Sequence, residues 1–535
     1  MARTVFLGLA LLASVATVVA LQGVACGSRP PDQPFDLLIR DGRLLDGSGS
    51  PPVRGDVGVR EGRIAAIGDL GRAPAVRTIE AAGRLVTPGF IDVHSHAGEG
   101  LVRRGLQQGQ PLLAQGITTI MANPDGSGPV DLARQREAFG VLGLGVNVGL
   151  LVGHGSVREA VLGTEPRAPS DEELDRMRAL VRSGMEEGAF GLSSGLFYVP
   201  GQYASTDEIV ALMQVVAEYG GLHTSHVRDE GNYSVGLVAA VDEIIEIAER
   251  TGTIGIVSHM KALGSDSWGL AAAAVARIDR ARARGVRVFT DQYPYSASST
   301  SLTGALVPGW AQAGGRDAML ARFAAPATRS RVLAEIRDNL RRRNGPEAIV
   351  LAQYAPDRRF EGQSLADVAR ALDLPPDEAV ISLLVRAGAL IVSFNMADRD
   401  IEHIMRQPYT MTSSDGGLVF PTEGRPHPRS YGAFPRKIAQ YVFERQVVGL
   451  DEAIRSMTGL SAQVFSLSDR GVLREGAWAD ILVFDPADVR DTATYADPHR
   501  LAEGMSYVLV NGVLVVDEGR FTDRLPGQVL RRPVQ

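Results

Sequence analysis

Residues 89–96 read Gly-Phe-Ile-Asp-Val-His-Ser-His, an apolar β-type run that ends in two histidines two positions apart. Side chains at positions i and i+2 of a strand point to the same side, so His94 and His96 can reach one point in space. Parallel (β/α)8 barrels carry their active sites at the carboxyl ends of the strands, and paired imidazoles there suit a divalent metal ion. Two histidines alone do not make a metal site, so further ligands are expected at the ends of later strands.

The length and charge of the chain restrict the class of protein to which it can belong. With 535 residues, the chain exceeds the usual size of a single hydrophobic core, so a large domain and at least one smaller unit are expected. Its apolar content is average and its net charge is −7, as in an ordinary globular protein. The acidic balance argues against nucleic acid as a partner.

Residues 1–25 are predicted to be a secretory signal peptide, because Arg3 precedes an apolar run from Val5 to Leu21. The single cysteine, Cys26, follows Gly-Val-Ala, and this run resembles a bacterial lipobox. The resemblance implies an exported lipoprotein attached to the membrane through a lipid on Cys26; ordinary cleavage after Ala25 would instead give a periplasmic protein. One cysteine excludes an internal disulfide. Residues 26–34 are predicted to be a tether.

Short β segments lie at both ends of the remaining chain. Residues 35–46 are predicted to form a hairpin with Asp41-Gly42 at its turn, and residues 57–67 a second hairpin. Near the other end, residues 507–516 repeat the pattern with Asn511-Gly512 at the turn. We therefore expect residues 35–84 and 470–525 to form one composite β-sandwich domain.

Residues 85–469 alternate apolar strands with amphipathic helices, which predicts an α/β fold built on a (β/α)8 barrel of the TIM type. The predicted strands are Val86–Val93, Ile117–Ala122, Val146–Val152, Phe190–Ser194, Gly221–Ser225, Ile254–Ser258, Val286–Asp291 and Tyr409–Ser413. The stretch between the last two strands is unusually long. Within it we expect a helix over Arg329–Arg343 and an inserted lid or subdomain at about residues 300–350.

Four more candidate ligands follow the carboxyl ends of predicted strands. They are His226, His259, Asp125 and Asp415. A lone histidine after a strand is usually structural, but six such side chains at one end of one barrel are hard to explain without a site. Imidazole nitrogens and carboxylate oxygens suit zinc, with a position left for water.

These motifs also carry a family resemblance. Residues 88–96 resemble the first-strand signature of the amidohydrolase superfamily, and further motifs resemble its D-aminoacylase (N-acyl-D-amino-acid deacylase) branch. Those motifs are Gly188–Leu196, His226–Glu230, Ser258–Lys261, Tyr293–Tyr295, Ser413–Gly416, His427–Arg429 and Phe434–Arg436.

The resemblance implies zinc-dependent hydrolysis of the linear amide of N-acyl-D-amino acids, with Asp415 as general base and then general acid. It implies a tight metal site at Asp125, His226 and His259, and a second, weaker site at His94, His96 and Asp415. It further implies that Arg429, assisted by Lys261, Tyr293 and Ser299, binds the substrate carboxylate. His154 is expected to support the site, and His427 to shape the loop that carries Arg429.

Asp125 departs from the family pattern, which has a metal-bridging cysteine in a Gly-Asn-Cys-Gly context; this chain has Asn-Pro-Asp-Gly at residues 123–126. Other superfamily members use a carboxylated lysine, but no lysine lies between His96 and His226. Asp125 is therefore the expected bridge. A carboxylate is a harder ligand than a thiolate, so the identity and number of the metals are left open.

Two alternative functions are weighed. A cyclic-amide hydrolase of the hydantoinase or dihydroorotase kind is disfavoured because the chain lacks the lysine bridge and carries the Tyr293 and Arg429 motifs. A non-catalytic anchored binding protein is disfavoured because a pure binder would need no general base at Asp415.

Overall fold

The computed structural model describes residues 33–533. The predicted signal peptide, Cys26 and residues 26–32 of the predicted tether lie outside this range. Between residues 33 and 533, no helix is both long enough and apolar enough to span a membrane.

The central domain is a barrel of eight parallel strand positions, which confirms the predicted fold class. Its strands are Phe90–Asp92, Ile117–Ala122, Asn147–Leu150 with Val152–Gly153, Gly191–Gly195, Leu222–His226, Ile254–Val257, Val288–Gln292 and Thr410–Thr412. The third position is split at Leu151. Apolar side chains such as Met121, Phe190 and Ile256 fill the interior, so the barrel is a packed core that holds the strand ends in place.

Helices cover the outside of the barrel. They are Gly98–Leu101, Gln110–Ala114, Leu132–Leu142, His154–Leu162, Asp171–Glu186, Thr206–Glu218, Leu237–Thr251, Ala271–Ala283, Asp398–Met405, Arg429–Arg436, Leu450–Met457 and Gly459–Val464, with a π-helix at Lys437–Glu444. The helix Leu237–Thr251 illustrates the pattern, because Leu237, Val241, Ile244 and Ala248 are buried on one face at a spacing of three or four residues. Short 3-10 helices lie at Gly201–Tyr203, Ser265–Ser267, Pro346–Ala348 and Arg358–Phe360.

The first predicted barrel strand, Val86–Val93, is in fact two strands in two sheets. Leu85–Pro88 pairs with terminal strands, and only Phe90–Asp92 belongs to the barrel. Gly89 lies between them against Thr118, where a Cβ would overlap the Thr118 side chain. The chain can therefore change sheets at Gly89 because that residue has no side chain.

Both ends of the described chain form the smaller β domain, as one hydrogen-bonded sheet of nine strands that branches at its first strand. The strands are Phe35–Leu44, Val53–Arg60, Arg63–Gly68, Ala75–Glu80, Leu85–Pro88, Ile481–Phe484, Met505–Val510, Val513–Asp517 and Arg520–Phe521. The predicted hairpin turn at Asp41-Gly42 is wrong, because Phe35–Leu44 is a single strand whose register shifts between Ile39 and Gly42. The hairpins at Gly62 and at Asn511-Gly512 are confirmed.

The insertion between the last two barrel strands is larger than predicted, because its core extends to Ile391 instead of ending near residue 350. Its helices are Leu302–Leu306, Gly309–Gln312, Gly315–Ala324, Pro326–Arg342, Leu365–Ala371 and Pro376–Arg386, and its strands are Ser298–Ser301, Ile349–Gln353 and Leu390–Ser393. The expected helix is confirmed within Pro326–Arg342, with Val332, Ile336 and Leu340 buried. The inserted subdomain thus has its own hydrophobic core and its own small sheet.

A buried carboxylate of the β domain, Asp480, connects that domain to the barrel. Arg470 donates to Asp480, and both side chains are 3% exposed. Asp480 also accepts from Asn147 on a barrel strand (3.2 Å) and from the backbone nitrogen of Asn511 at the terminal hairpin turn (2.7 Å). One carboxylate therefore holds two domains in register.

Replacing Asp480 with alanine is predicted to destabilise this junction, because the Arg470 charge would stay buried without its partner. We expect the free energy of unfolding to fall by about 3–5 kcal/mol, measured by urea denaturation followed by circular dichroism. The control is Asp207→Ala, which removes an exposed partner of Arg250 and should have a much smaller effect, because water screens an exposed ion pair. Equal losses in the two variants would contradict the role given to Asp480.

Candidate metal centre

All six predicted ligands converge at the carboxyl end of the barrel. His94, His96, Asp125 and Asp415 form one group, and Asp125, His226 and His259 form another; within each group the ligand atoms lie within 4.8 Å of one another. Asp125 is common to both groups. The structure therefore brings together side chains from five separate strand ends around one carboxylate.

Asp125 lies at the centre of this arrangement. Its Oδ1 is 3.3 Å from His94 Nε2, 3.4 Å from His259 Nε2 and 4.0 Å from His226 Nδ1, and its Oδ2 is 3.4 Å from His96 Nε2. A carboxylate has two oxygens and can face two positions at once. Asp125 is therefore the one side chain here whose position suits a bridge between two ions.

The backbone adopts an unusual conformation at three of the six positions. Asp125, His259 and Asp415 have φ values of 56°, 34° and 49°, in the left-handed region that non-glycine residues rarely adopt. Such residues cost about 1–3 kcal/mol each and cluster at functional sites. Each of the three residues follows the end of a barrel strand by two or three positions.

Several buried polar atoms at this site make no hydrogen bond within the described part of the chain. Those on the candidate ligands are both ring nitrogens of His94, Oδ1 of Asp125 and Oδ1 of Asp415. Buried polar atoms are normally satisfied, and each exception needs an explanation. Nitrogen and carboxylate donors that converge without partners fit a bound divalent cation such as zinc.

The electrostatics of the site couple its imidazoles to its carboxylates. Burial alone would raise the pKa of Asp125, but the neighbouring His94 and His259 rings outweigh it and hold that pKa well below its usual range. Burial opposes protonation of His259 and His96, yet the aspartates raise the pKa of His259 to about 10 and that of His96 to about 9. Burial lowers the pKa of His226 to about 4. The carboxylates thus favour positive charge at the point where the ligands meet.

Two further aspartates hold the ligands in place. Asp92 accepts from the backbone nitrogens of His94 (3.3 Å) and Ser414 (2.9 Å). Asp291 accepts from the backbone nitrogen of His259 (2.9 Å) and from the Ser413 hydroxyl (2.7 Å). Buried carboxylates beneath a metal site commonly fix the positions of its ligands.

The predicted carboxylate clamp lies beside Asp415. Arg429 Nη1 is 2.7 Å from Asp415 Oδ2, and the guanidinium carbon is 4.7 Å from the centre of the Tyr293 ring. The Ser299 carbonyl accepts from Arg429 Nη2 at 3.5 Å. His427 accepts from the Arg429 backbone nitrogen (3.0 Å), in agreement with its expected role in that loop.

Lys261 lies beside His259. Its ammonium group is 2.8 Å from His259 Nδ1 and donates to Glu230. Glu230 also lies 3.7 Å from His226 and 3.1 Å from His259. Glu230 is not among the site residues predicted from the sequence, although its position four residues after His226 could have indicated it.

The other histidines lie apart from the ligand cluster. His154 Nε2 is 2.9 Å from Glu208, which also accepts from the buried Arg158. His223 is hydrogen-bonded to Ser194 (2.8 Å) and His499 to Tyr431 (2.8 Å). These contacts hold the three rings away from the ligand atoms, and the expected support of the site by His154 stays a prediction.

A cavity of about 720 Å³ opens over the ligand cluster. Its wall includes five of the six ligands together with Lys261, Tyr293, Ser299 and Arg429. Tyr198 and Arg343, which were not predicted from the sequence, also line it. A cavity of this volume is typical of sites for small molecules.

Comparison with known proteins identifies the family of this chain. Residues 77–516 match the amidohydrolase family. The chain is 37% identical over 521 residues to N-acyl-D-glutamate deacylase of Alcaligenes xylosoxydans xylosoxydans, covering 93% of this chain and 97% of that protein. It is 35% identical over 528 residues to D-aminoacylase of the same organism, covering 94% and 99%.

A solved structure agrees with these relatives. The crystal structure of N-acyl-D-glutamate deacylase from Bordetella bronchiseptica, complexed with zinc and a phosphonate inhibitor, superposes with a TM-score of 0.79 at 35% identity and covers 93% of this chain and 100% of that one. The chain therefore belongs to the amidohydrolase family, and within it to the D-aminoacylase branch.

Proposed function

We propose that this protein is a metal-dependent deacylase that hydrolyses the linear amide of N-acyl-D-amino acids to a carboxylate and a free D-amino acid. The observation that carries the proposal is the cluster of four histidines and two aspartates with Arg429 beside Asp415 in one cavity. The D configuration comes from the named relatives, whose substrates are N-acyl-D-amino acids.

The donor set has room for one or two zinc ions. Asp125, His226 and His259 would hold the tighter ion, and His94, His96 and Asp415, with Asp125 as the bridge, the weaker one. A bound zinc ion supplies a Lewis acid that polarises the acyl carbonyl and lowers the pKa of water. Asp125 replaces a soft thiolate ligand with a hard carboxylate ligand at the shared position. This replacement favours metals that prefer oxygen ligands at the weaker site.

Arg429 would bind the α-carboxylate of the substrate and so orient the scissile amide. A guanidinium offers carboxylates two parallel hydrogen bonds. The buried Arg429 lies against the Tyr293 ring, and its backbone is held by His427. The substrate would therefore bind at a fixed distance from the ligand cluster.

Asp415 is suited to move the proton between water and the amide nitrogen. Its Oδ2 is paired with Arg429, whereas its Oδ1 faces His96 Nε2 at 3.2 Å. Burial opposes ionisation, but Arg429 and the histidines hold the pKa of Asp415 well below its usual range, so the free enzyme carries the base in its ionised form. A substrate carboxylate on Arg429 would share the guanidinium with Asp415 and make Asp415 a stronger proton acceptor.

Replacing Asp415 with asparagine is predicted to remove this proton transfer while leaving the Asp125, His226 and His259 position intact. We expect kcat to fall by about 100- to 10,000-fold, with at least one zinc ion per chain retained in metal analysis. The control is Glu423→Gln at the cavity rim, where Glu423 pairs with Arg103; its kcat should not change. Unchanged kcat in Asp415→Asn would rule out the assigned role.

Replacing Asp125 with alanine is predicted to weaken metal binding at both positions, because this carboxylate faces all four histidines. Removal of residues that merely orient ligands costs about 10- to 100-fold in metal affinity, so loss of the bridge should cost at least about 100-fold. Competition with a zinc-binding dye measures the affinity, and Asp131→Ala, which removes an exposed helix cap, is the control. Retention of two tightly bound ions in Asp125→Ala would exclude a bridging role.

Export and membrane attachment remain part of the proposal. We expect Cys26 to become the acylated first residue of the mature protein. Mass spectrometry of the mature amino terminus should then find a diacylglyceryl group, and Cys26→Ser should move the protein from the membrane fraction to the periplasmic fraction. A mature chain that begins with unmodified Cys26 would support ordinary cleavage after Ala25 instead.

A further inference from the structure

A second buried arginine lies in the wall of the catalytic cavity. Arg343 follows the helix Pro326–Arg342 of the inserted subdomain and is only 2% exposed. It therefore reaches the cavity from a different unit than Arg429, which begins a helix of the barrel.

The contacts of Arg343 hold its guanidinium without neutralising it. Its Nε donates to the Tyr233 hydroxyl at 2.8 Å, and its Nη1 donates to the Ser393 hydroxyl at 3.2 Å. Both partners are neutral. Across residues 33–533 its Nη2 makes no hydrogen bond, and no carboxylate lies within 4.0 Å of any of its nitrogens.

The other two cations of the cavity wall do carry carboxylate partners. Lys261 is paired with Glu230, and Arg429 is paired with Asp415. Buried charges are normally paired, because removal from water is costly when no opposite charge compensates it. A rigid guanidinium with a free edge in a substrate cavity therefore points to an anion that arrives with the ligand.

The carboxylates described near the cavity form no ion pair with Arg343. Glu423 is held by Arg103 and Glu230 by Lys261. Glu99 and Glu159 are exposed at the rim of the cavity. The positive charge of Arg343 is thus available to bind an anion inside the cavity.

Arg343 and Arg429 lie on connected parts of one wall. Ser393, which accepts from Arg343, is directly paired with Ser298 in an antiparallel ladder. The next residue, Ser299, accepts from Arg429 through its carbonyl. On the other side, the Tyr233 ring packs against Phe197 at 5.2 Å, and Phe197 packs against the His226 ring at 5.6 Å.

We infer that Arg343 binds a second carboxylate of the substrate, so that the preferred substrates are N-acyl amino acids with two carboxylates. This inference rests on the proposed deacylase function and adds a specificity-determining residue to it. The second carboxylate belongs either to the amino-acid side chain, as in glutamate and aspartate, or to the acyl group, as in an N-succinyl amino acid. Tyr233 and Ser393 fix the guanidinium in advance, which reduces the entropy lost on binding.

The test compares charged substrates with neutral substrates of the same shape. For the wild-type protein and Arg343→Gln, kcat/KM is measured on N-acetyl-D-glutamate and N-acetyl-D-glutamine, and on N-succinyl-D-leucine and N-butanoyl-D-leucine. Arg342→Gln is the matched control, because Arg342 also lies over the Tyr233 ring but does not line the cavity. Arg343→Lys keeps the positive charge, so it separates the loss of charge from a loss of folding in Arg343→Gln. Circular dichroism tests whether both variants are folded.

We expect Arg343→Gln to lower kcat/KM for the dicarboxylate of one pair by about 10- to 100-fold, the effect of losing a charge-assisted hydrogen bond. The neutral partner should change little, Arg343→Lys should keep part of the preference, and Arg342→Gln should keep all of it. The pair that responds identifies which end of the substrate carries the second carboxylate.

Two outcomes would contradict the inference in different ways. Hydrolysis of the neutral substrates with no loss of charge preference in Arg343→Gln would overturn the role of Arg343 and leave the deacylase function standing. Failure of the zinc-loaded wild-type protein to hydrolyse any of the four compounds would overturn both.

Discussion

The site depends on how the barrel closes between its first and eighth strands. The backbone nitrogen of Asp415 donates to the carbonyl of His94, and the backbone nitrogen of His96 donates to the carbonyl of Gly416, both at 2.9 Å. The hydrogen bonds that close the barrel are thus made by the residues that carry the proposed ligands. Any shift of one strand along the other would therefore separate His94 and His96 from Asp415.

The second constraint is the charge collected around Asp125. Asp125, Asp415 and Glu230 lie close together with little access to water, and such a group is unstable unless cations balance it. Arg429 and Lys261 balance part of it, and the raised pKa values of His96 and His259 balance more. Divalent ions would replace the protons on these rings, since imidazole must be neutral to bind a metal. Protons on the histidine rings therefore stabilise the ligand cluster, and divalent metal ions suit it better than protons do.

The sequence predicted the ligand set well because one geometric rule governs it: ligands at the carboxyl ends of parallel strands must meet. His94 and His96 are predicted from the two-residue period of a strand, although that strand ends at Asp92, and the four later ligands are predicted from the ends of later strands. The errors have local causes. Asp41-Gly42 is a residue pair typical of hairpin turns. The strand that contains it instead pairs with three neighbouring strands, and the left-handed residue Asp41 lies in a bulge of that strand. Likewise, the run Val86–Val93 looks continuous, since only the packing of Gly89 against Thr118 reveals the change of sheet.

Glu230 and Arg343 show where the fold adds to what the sequence indicates. Glu230 matters because Lys261 and two histidines surround it. His226 lies only four positions before it, but the contacts with Lys261 and His259 join residues that are about 30 positions apart in the chain. Arg343 stands among several arginines at the end of a helix, and its neighbours Arg341 and Arg342 look equivalent to it. Only the path of the chain through the inserted subdomain turns Arg343 inward.

The position of the insertion explains how chemistry and selectivity can be separated in this fold. It begins after the strand Val288–Gln292, at the rim that carries the ligands, and its first and last strands, Ser298–Ser301 and Leu390–Ser393, pair with each other, so its two ends lie side by side. Its hydrophobic core is separate from that of the barrel, so its residues can change without repacking the strands that hold the metal centre. The barrel supplies the ligands, Asp415 and Arg429, whereas the insertion supplies Ser299 and Arg343 from outside. A subdomain of this kind can alter which substrate fits while the reacting groups stay in place.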